Sequence, residues 1–391
     1  MRTCIYCNKS KRDSEFSYEH IWPDALGGDH LPNFWKAKDV CATCNNTSGL
    51  YVDGEFLKTW LGRAERSHGW ENYLSISYPD RALPPLTYMG HLNEVSEQND
   101  VEFWIGPCGA HILHFRPTET RAPFHMYAGG NPLNSKKPKR AGRAYLTLTT
   151  LNNFWIRVTF SAFKAHFPKV ERYATNCNFL DNDVGIRYLN WEEPPHPPDI
   201  STLHEVMQAS KKGQRVKTQA RIQTDFDSRF LAKLALGVGY NIFGNQYIKS
   251  NYAGKLRKAM WEADSQKRHR IEIQGTRYAN RIGLGGAERL LKWPSGWVLL
   301  LKVVDNKLTL TIVCPTGNVM SIVVAESMDE WPEIKKEYGE GWIWLVVPPL
   351  GRATEAISLP NYIAHQIRVE NVQALRKIED SRISPEDLPF C

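Results

Sequence analysis

The sequence has no long hydrophobic run. None of its 391 residues lies in an apolar stretch of about 18 residues, which is roughly the minimum for a membrane-spanning helix. The N-terminus begins MRTCIYC, without the basic segment and the following apolar segment that make up a secretory signal. We therefore expect a cytoplasmic protein that does not associate with a membrane.

Motifs of several common enzyme classes are also missing. The sequence contains no GxxxxGK[ST] phosphate-binding loop, no protein-kinase signature and no GxSxG nucleophile motif. GVGYNIFG at residues 237–244 does not have the GxGxxG spacing, and it continues a helical pattern instead of following a strand. Helix packing therefore explains its glycines better than dinucleotide binding does.

Cysteine is scarce, and half of it lies near the N-terminus. Four of the eight cysteines form two Cys-x-x-Cys pairs, Cys4 with Cys7 and Cys41 with Cys44. In a chain of this length the pairs favour a metal site in a reducing compartment over a disulfide framework. Four thiolates suit a structural zinc ion, which takes tetrahedral sulfur ligands. Buried thiols without a metal are the alternative interpretation.

The rest of the chain shows both helical and strand patterns. Strand-forming residues predict a hairpin with strands at 144–151 and 154–163. Apolar runs split by DN and PTGN predict a β-meander within 297–326. Helical spacing predicts helices at 230–243 and 252–261, and a further helix that begins soon after the second cysteine pair.

The N-terminal segment carries an ordered series of fixed positions. CIYC at 4–7 is followed by EHIWPDALGG at 19–28, CATCNNTSG at 41–49 and Asp53. This series resembles the HNH nuclease family, also called the ββα-metal or His-Me finger, in the branch with CxxC, EHIxPxxLGG and CxxCNxxxG followed by an Asp. The resemblance covers residues 1–62.

The resemblance implies roles for three residues of this segment. His20 would be the general base on the attacking water, a task that suits an imidazole because it titrates near neutrality. Glu19 and Asn45 would bind a catalytic divalent cation, Mg²⁺ or Mn²⁺, since hard ions prefer oxygen ligands. That ion would stabilise charge on the phosphate and the leaving 3′ oxygen, whereas the zinc would hold the strands and the helix together.

Other positions in the segment leave alternatives open. The family has an Asn before the second cysteine pair that orients the catalytic histidine, and Asn33 is the candidate here. Asn46 is an alternative to Asn45 as a metal ligand. His30 is either a phosphate contact or a solvated loop residue, and the alternative for His20 is a structural histidine in a finger without catalysis.

Together these patterns predict an α+β fold with three consecutive parts. Residues 1–62 would form the zinc-stapled ββα-metal nuclease domain, residues 63–200 a β-rich body, and residues 201–391 a helical segment followed by the β-meander. The body would be mixed α+β with an antiparallel sheet. Proline-rich stretches at 78–86 and 190–200 predict connections.

Basic residues outside the finger are candidates for contacts with nucleic acid. Lys and Arg cluster at 135–143, 210–221 and 265–270, and the chain has a net charge of +7 and a pI near 8.9. Such clusters can neutralise phosphates, but most basic runs are only solvated faces or loops.

The sequence thus predicts a metal-dependent HNH endonuclease that hydrolyses phosphodiester bonds in double-stranded DNA. With one active site, a monomer would nick the duplex. The C-terminal body would bind a protein partner or a regulatory ligand, and a role as an effector in anti-phage defence rests on analogy alone. The alternative is a zinc-dependent nucleic-acid-binding or scaffold protein that keeps the finger fold without catalysis.

Overall fold

The computed structural model divides the chain into two compact units. The first unit contains residues 1–65 and 224–382, and the second contains residues 66–223 and 383–391. The structure describes residues 1–58, 62, 65–66, 68–69, 72–73, 86–92, 99–106, 109–117, 143–148, 154–155, 158–159, 171–176, 197–213, 218–219, 225–268, 270–275 and 288–383.

The strands are β1 (Arg2–Thr3), β2 (Ser10–Lys11), β3 (Phe16–His20), β4 (Lys36–Cys41), β5 (Thr87–Leu92), β6 (Asn99–Ile105), β7 (His111–Pro117), β8 (Arg143–Leu148), β9 (Glu171–Asn176), β10 (Thr218–Gln219), β11 (Trp297–Val304), β12 (Lys307–Val313), β13 (Val319–Ala325), β14 (Trp342–Val347), β15 (Arg352–Ala353) and β16 (Ile357–Ser358). The helices are α1 (Ala42–Ser48), α2 (Gly54–Lys58), α3 (Pro197–Lys211), α4 (Asp225–Phe243), α5 (Asn245–Lys249), α6 (Asn251–Trp261), α7 (Ser265–Arg268), α8 (Glu288–Leu291), α9 (Pro332–Glu337), α10 (Leu359–Gln366) and α11 (Gln373–Glu379).

The N-terminal residues of the first unit form two small hairpins followed by a helix. β1 pairs with β2, and β3 pairs with β4 in antiparallel register that sets His20 opposite Lys36. The predicted helix begins at Ala42, before the second cysteine of the pair and not after it, because extended Cys41 leads directly into the first turn. The helical path continues through a wider turn, Gly49–Asp53, into α2.

A β-meander forms the main sheet of the first unit. Its strand order is β13-β12-β11-β14-β15, and β16 also pairs with β14. β11, β12 and β13 confirm the meander predicted within 297–326. Asp305 and Asn306 make the first turn with φ values of 48° and 61°, left-handed angles that these two residue types tolerate better than most.

Helices α4 and α6 connect the N-terminal hairpins to this sheet. They confirm the helices predicted at 230–243 and 252–261, although α4 starts earlier, at Asp225. Buried residues of the hairpins, of both helices and of the sheet belong to one hydrophobic cluster. The Trp22 ring, for example, lies 5.9 Å from Phe230 in α4 and 5.4 Å from Trp297 in β11.

The second unit contains a six-stranded sheet of order β10-β5-β6-β7-β8-β9. Leu203 and Val206 of α3 cluster with apolar residues on one face of the sheet, including Leu113 and Phe115 of β7. β8 and β9 run parallel, whereas the other neighbouring strands are antiparallel. Mainly antiparallel sheets, accompanied by helices in both units, confirm the predicted α+β class.

The hairpin predicted at 144–151 and 154–163 is wrong in its second strand. β8 covers residues 144–148 of the first strand, but Phe154, Trp155, Val158 and Thr159, the described residues of the second, are helical. The Thr159 hydroxyl donates to the carbonyl of Trp155 over 2.8 Å, a bond by which a β-branched residue is accommodated in a helix. β8 pairs in parallel with β9, and two parallel strands are not the two strands of a tight hairpin.

The connection predicted at 190–200 is also too long. α3 begins at Pro197, and proline is tolerated in the first turn of a helix because its missing N–H would have no helical partner there. Residues 190–196 and 78–85, and most of the basic cluster at 135–143, lie outside the described residues. Within the described parts of the chain, no helix is both long enough and apolar enough to cross a membrane.

Candidate active site and zinc site

The four cysteines of the two Cys-x-x-Cys pairs lie together. Their sulfur atoms are all within 4.8 Å of one another. Cys4 and Cys7 lie in the turn between β1 and β2, Cys41 ends β4, and Cys44 lies in α1. This donor set could hold one zinc ion, as the sequence predicts.

The environment of Cys4 suits a metal-binding thiolate. The Cys44 thiol lowers the pKa of Cys4, burial opposes this effect, and backbone amides, first that of Cys41, lower the pKa further. The Cys41 N–H lies 3.3 Å from the Cys4 sulfur. Zinc binds thiolates, so hydrogen bonds that favour the charged sulfur are consistent with a ligand at this position.

His20 ends β3, and its ring lies between two carboxylates. Its Nδ1 is 3.0 Å from Oδ1 of Asp24, and its Nε2 is 3.5 Å from Oδ1 of Asp29. The His20 side chain is 22% exposed, whereas those of Asp24 and Asp29 are 61% and 71% exposed. A carboxylate on Nδ1 favours the tautomer whose Nε2 can accept a proton, and Nε2 itself is buried and faces Asp29.

Two glycines shape the loop that carries these aspartates. Gly27 has a φ of +85°, in the left-handed region that favours glycine. A Cβ on Gly28 would lie 1.8 Å from the carbonyl oxygen of Trp22, so no other residue fits there. The Trp22 indole N–H donates to the carbonyl of Leu26 over 2.9 Å. The loop therefore turns back on the end of β3, which brings its aspartates to the histidine.

Glu19 faces the interior and belongs to a buried ion-pair cluster. Successive side chains of a strand point to opposite faces, and Glu19 is only 3% exposed. Nζ of Lys233 in α4 lies 2.8 Å from Oε1 of Glu19 and 2.6 Å from Oδ2 of Asp53. The same Nζ donates to the carbonyl of His20 over 3.1 Å. The Tyr6 hydroxyl donates to Oε1 of Glu19 over 3.1 Å.

Burial and charge act in opposite directions within this cluster. Burial raises the pKa of Asp53 to about 6, although the Lys233 ammonium works against the shift. Burial also disfavours the charged form of Lys233, but Asp53 and Glu19 outweigh it and raise the pKa of Lys233. The lysine is therefore a buried cation whose charge is kept by its two carboxylate partners.

Glu19 and Asn45 are the predicted ligands of the catalytic cation. In each residue, one side-chain atom already contacts other parts of the protein. Both contacts of Glu19 with described residues are to Oε1. Nδ2 of Asn45 donates to Oγ of Ser17 over 3.0 Å and to the carbonyl of Tyr18 over 2.8 Å. Among the described residues, no contact involves Oε2 of Glu19 or Oδ1 of Asn45, and oxygen donors of this kind fit Mg²⁺ or Mn²⁺. Their role as ligands stays a prediction.

Asn33 is connected to His20 by way of Tyr18, which contacts both residues. Its Oδ1 accepts a bond from the Tyr18 hydroxyl at 3.5 Å. The Tyr18 ring packs edge-on against the His20 ring, with 5.5 Å between their centroids. An orienting effect of Asn33 on His20 would act through Tyr18, and the predicted role of Asn33 stays a prediction. His30 is exposed and lies beside Gly351.

The sequence interpretation missed Asp24, Asp29 and Lys233. Asp24 and Asp29 stand inside the matched loop, and only the folded loop shows that they flank the histidine. Lys233 interrupts the apolar stretch FLAKLALG at 230–237. A charged residue on the buried face of a helix requires a partner. The position of Lys233 in an apolar stretch was therefore the sequence feature that could have identified it.

Some residues of the predicted basic clusters are exposed, whereas others are paired within the protein. In the cluster at 265–270, Gln266, Lys267 and Arg270 are exposed, but Arg268 is buried and donates to the carbonyl of Glu262 over 2.8 Å. Arg143, at the end of another cluster, contacts Asp199 over 2.6 Å. These two arginines have structural partners within the protein.

Comparison with known proteins identifies the N-terminal segment. A family model described as HNH endonuclease matches residues 4–61. No curated protein and no solved structure matches the chain. The matched segment contains all four clustered cysteines, the loop and His20, and the family assignment indicates nuclease activity in general. Residues 4–61 are therefore similar to the HNH endonuclease family, and their paired cysteines fit its zinc-binding branch.

Proposed function

We propose that the protein is a metal-dependent endonuclease that hydrolyses phosphodiester bonds of double-stranded DNA. The observation that carries the proposal is the arrangement of His20 in the segment matched to the HNH family. Its Nδ1 is 3.0 Å from Asp24, and its ring borders a loop with two exposed aspartates. An imidazole oriented by a carboxylate is the group that general-base hydrolysis requires.

Hydrolysis would proceed by attack of water on phosphorus. Asp24 accepts the Nδ1–H of His20, and Nε2 takes a proton from the attacking water. The water oxygen bonds to phosphorus while the bond from phosphorus to the 3′ oxygen breaks. The 3′ oxygen takes a proton from solvent, so the products carry a 5′-phosphate and a 3′-hydroxyl.

Glu19 and Asn45 would hold the divalent cation through Oε2 and Oδ1. When bound, Mg²⁺ or Mn²⁺ would neutralise charge on the phosphate and on the leaving oxygen. The four cysteines would hold a separate zinc ion that keeps β4 and α1 in place. The two metals would therefore have different ligand sets, sulfur for zinc and oxygen for the catalytic ion.

A single HNH domain has one such site, so a monomer would nick DNA and not cut both strands. The rest of the chain would bind DNA, a protein partner or a regulatory ligand. A role as an effector in anti-phage defence remains an inference from analogy.

A plasmid assay tests the proposal. Full-length protein is incubated with supercoiled plasmid and Mg²⁺ or Mn²⁺, with zinc content measured in the same preparation. We expect about one zinc per chain, conversion of supercoiled to open-circular DNA that a chelator prevents, and nicks that DNA ligase reseals because they carry a 5′-phosphate and a 3′-hydroxyl.

One observation favours a second candidate function, a DNA-binding finger without catalysis. Glu19 is buried and already paired with Lys233, as in a module that uses the carboxylate for structure alone. In that case the protein would bind plasmid and contain zinc, yet would nick no DNA with either divalent ion. That result would contradict the endonuclease proposal.

A further inference from the structure

Helix α4 contacts the finger along one face. The residues concerned are Arg229, Lys233, Gly237, Tyr240 and Asn241, spaced at helical intervals. Arg229 pairs with Glu55 at 2.9 Å, the Tyr240 hydroxyl donates to Asp39 over 2.7 Å, and Asn241 donates to the carbonyl of Phe34 over 2.6 Å. These contacts hold the finger on the helix.

Lys233 differs from the other residues of this face because its partners belong to the candidate active site. Its side chain is fully buried, and its Nζ contacts Oε1 of Glu19 and the carbonyl of His20. Glu19 and His20 are the predicted cation ligand and the proposed base. One ammonium therefore holds the carboxylate of one residue and the backbone of the other.

We propose that Lys233 is a positioning residue of the nuclease site, which holds Oε1 of Glu19 so that Oε2 faces the catalytic cation. This proposal rests on the proposed function, since Glu19 must be a ligand for its orientation to matter. Tyr6 shares the task, because its hydroxyl donates to the same oxygen. Groups that orient metal ligands in this way affect affinity for the metal as well as stability.

The charge of the cluster guides the choice of variant. Lys233→Met alone would leave Glu19 and Asp53 as two buried acids without their cation, which is strongly destabilising. Lys233→Met combined with Asp53→Asn removes one positive and one negative charge and keeps the net charge of the cluster. Lys233→Gln with Asp53→Asn is a second variant that retains a polar group there, for use where the methionine variant is too unstable.

Arg229→Met with Glu55→Gln is the matched control. It removes another buried ion pair between the same helix and the finger, one turn earlier. Arg229 also donates to the carbonyl of Met260, so this variant loses structural contacts too. A purely structural role for Lys233 predicts that both double variants behave alike.

The measurement is Mn²⁺ affinity of the full-length zinc-loaded protein, followed by electron paramagnetic resonance without DNA. Glu19→Gln provides the reference for loss of the carboxylate ligand. We expect the Lys233 double variant to weaken Mn²⁺ binding about 10- to 100-fold, and the Arg229 double variant to bind like the wild type at temperatures where all are folded. Adding Glu19→Gln to the Lys233 variant should cause little further loss, because both changes act on one ligand.

Equal Mn²⁺ affinity of the Lys233 variants and the Arg229 control would overturn the proposal, as would an unchanged affinity in Glu19→Gln. Failure of the proposed function is a separate outcome. A wild type that binds Mn²⁺ through Glu19 but nicks no plasmid contradicts the endonuclease, while the affinity comparison still decides the role of Lys233.

Discussion

At the scale of residues, the end of β3 is fixed from two sides. On the exposed side, Asp24 lies against Nδ1 of the His20 ring. On the buried side, Lys233 holds the His20 carbonyl and the carboxylate of Glu19. A base that acts on a bound substrate needs a defined tautomer and a defined position. Asp24 contributes the first of these and Lys233 contributes the second.

Asp24→Asn should therefore lower the rate of DNA nicking. The amide keeps the size of the side chain but removes the charge that favours a proton on Nδ1, and we expect a loss of about 10- to 100-fold. Asp13→Asn, another exposed aspartate of the finger, should retain the wild-type rate. Rates are measured under single-turnover conditions with saturating Mg²⁺. Equal rates for the two variants would contradict the role of Asp24.

The sequence identified the cysteine pairs and His20, but not the contacts of Asp24 and Lys233. Few structures other than metal sites require the spacing of the cysteine pairs. His20 was identified because it belongs to the same family pattern as these pairs. The contacts of Asp24 and Lys233 could not be predicted, because only the fold creates them, although the charge of Lys233 within an apolar helical stretch indicates that it needs a partner. Lys233 is more than two hundred positions away from the strand that it holds.

At the scale of elements, α4 approaches β3 closely because of one glycine. A Cβ on Gly237 would lie 2.7 Å, 2.8 Å and 3.0 Å from three side-chain carbons of Ile21, the residue after His20. Ile21 is fully buried. The backbone of α4 can therefore approach Ile21 this closely only at a residue without a side chain.

Gly237→Ala and Gly254→Ala should have opposite effects on stability. Alanine favours a helix over glycine by about 1 kcal/mol, and Gly254 in α6 has no atom within 4 Å of an added Cβ, so that variant should be more stable. At Gly237 the clash with Ile21 should cost about 1–3 kcal/mol and outweigh the gain. Denaturant unfolding measures both, and a stabilised Gly237→Ala would contradict the close packing.

The elements were predicted where one pattern dominated locally. Apolar spacing gave α4 and α6, and alternating strands with a DN turn gave the meander. The segment at 154–163 has the composition of a strand, yet its described residues are helical. β8 pairs instead with β9, a non-local contact that local composition cannot reveal.

At the scale of the whole molecule, the finger shares its core with the C-terminal half of the chain. The Phe34 ring stacks on Trp344 of β14 with 5.1 Å between centroids, and the Phe56 ring stacks on Phe230 of α4 at 4.0 Å. The first compact unit accordingly joins residues 1–65 to 224–382. The family pattern in the sequence ends near residue 62, so it predicts a domain of residues 1–62 and gives no sign of the shared core.

Residues 1–65 should therefore not fold independently, even with zinc. Zinc can hold the two cysteine pairs together, but the apolar side chains that face α4 and the sheet would be exposed to water. We expect this fragment to lack a cooperative thermal transition and the near-ultraviolet circular dichroism of packed aromatic rings, whereas the full chain should have both. A zinc-loaded fragment that melts cooperatively would contradict the shared core.

The most direct test of the account is the single-turnover nicking rate of His20→Ala, with the zinc content and melting temperature of each preparation measured alongside. His204→Ala, which removes an exposed histidine of α3, is the control. We expect His20→Ala to retain zinc and its fold but to lose at least about 100-fold in rate, because it lacks the general base, while His204→Ala should nick like the wild type. Equal nicking by His20→Ala and His204→Ala would contradict the role of His20 as the base.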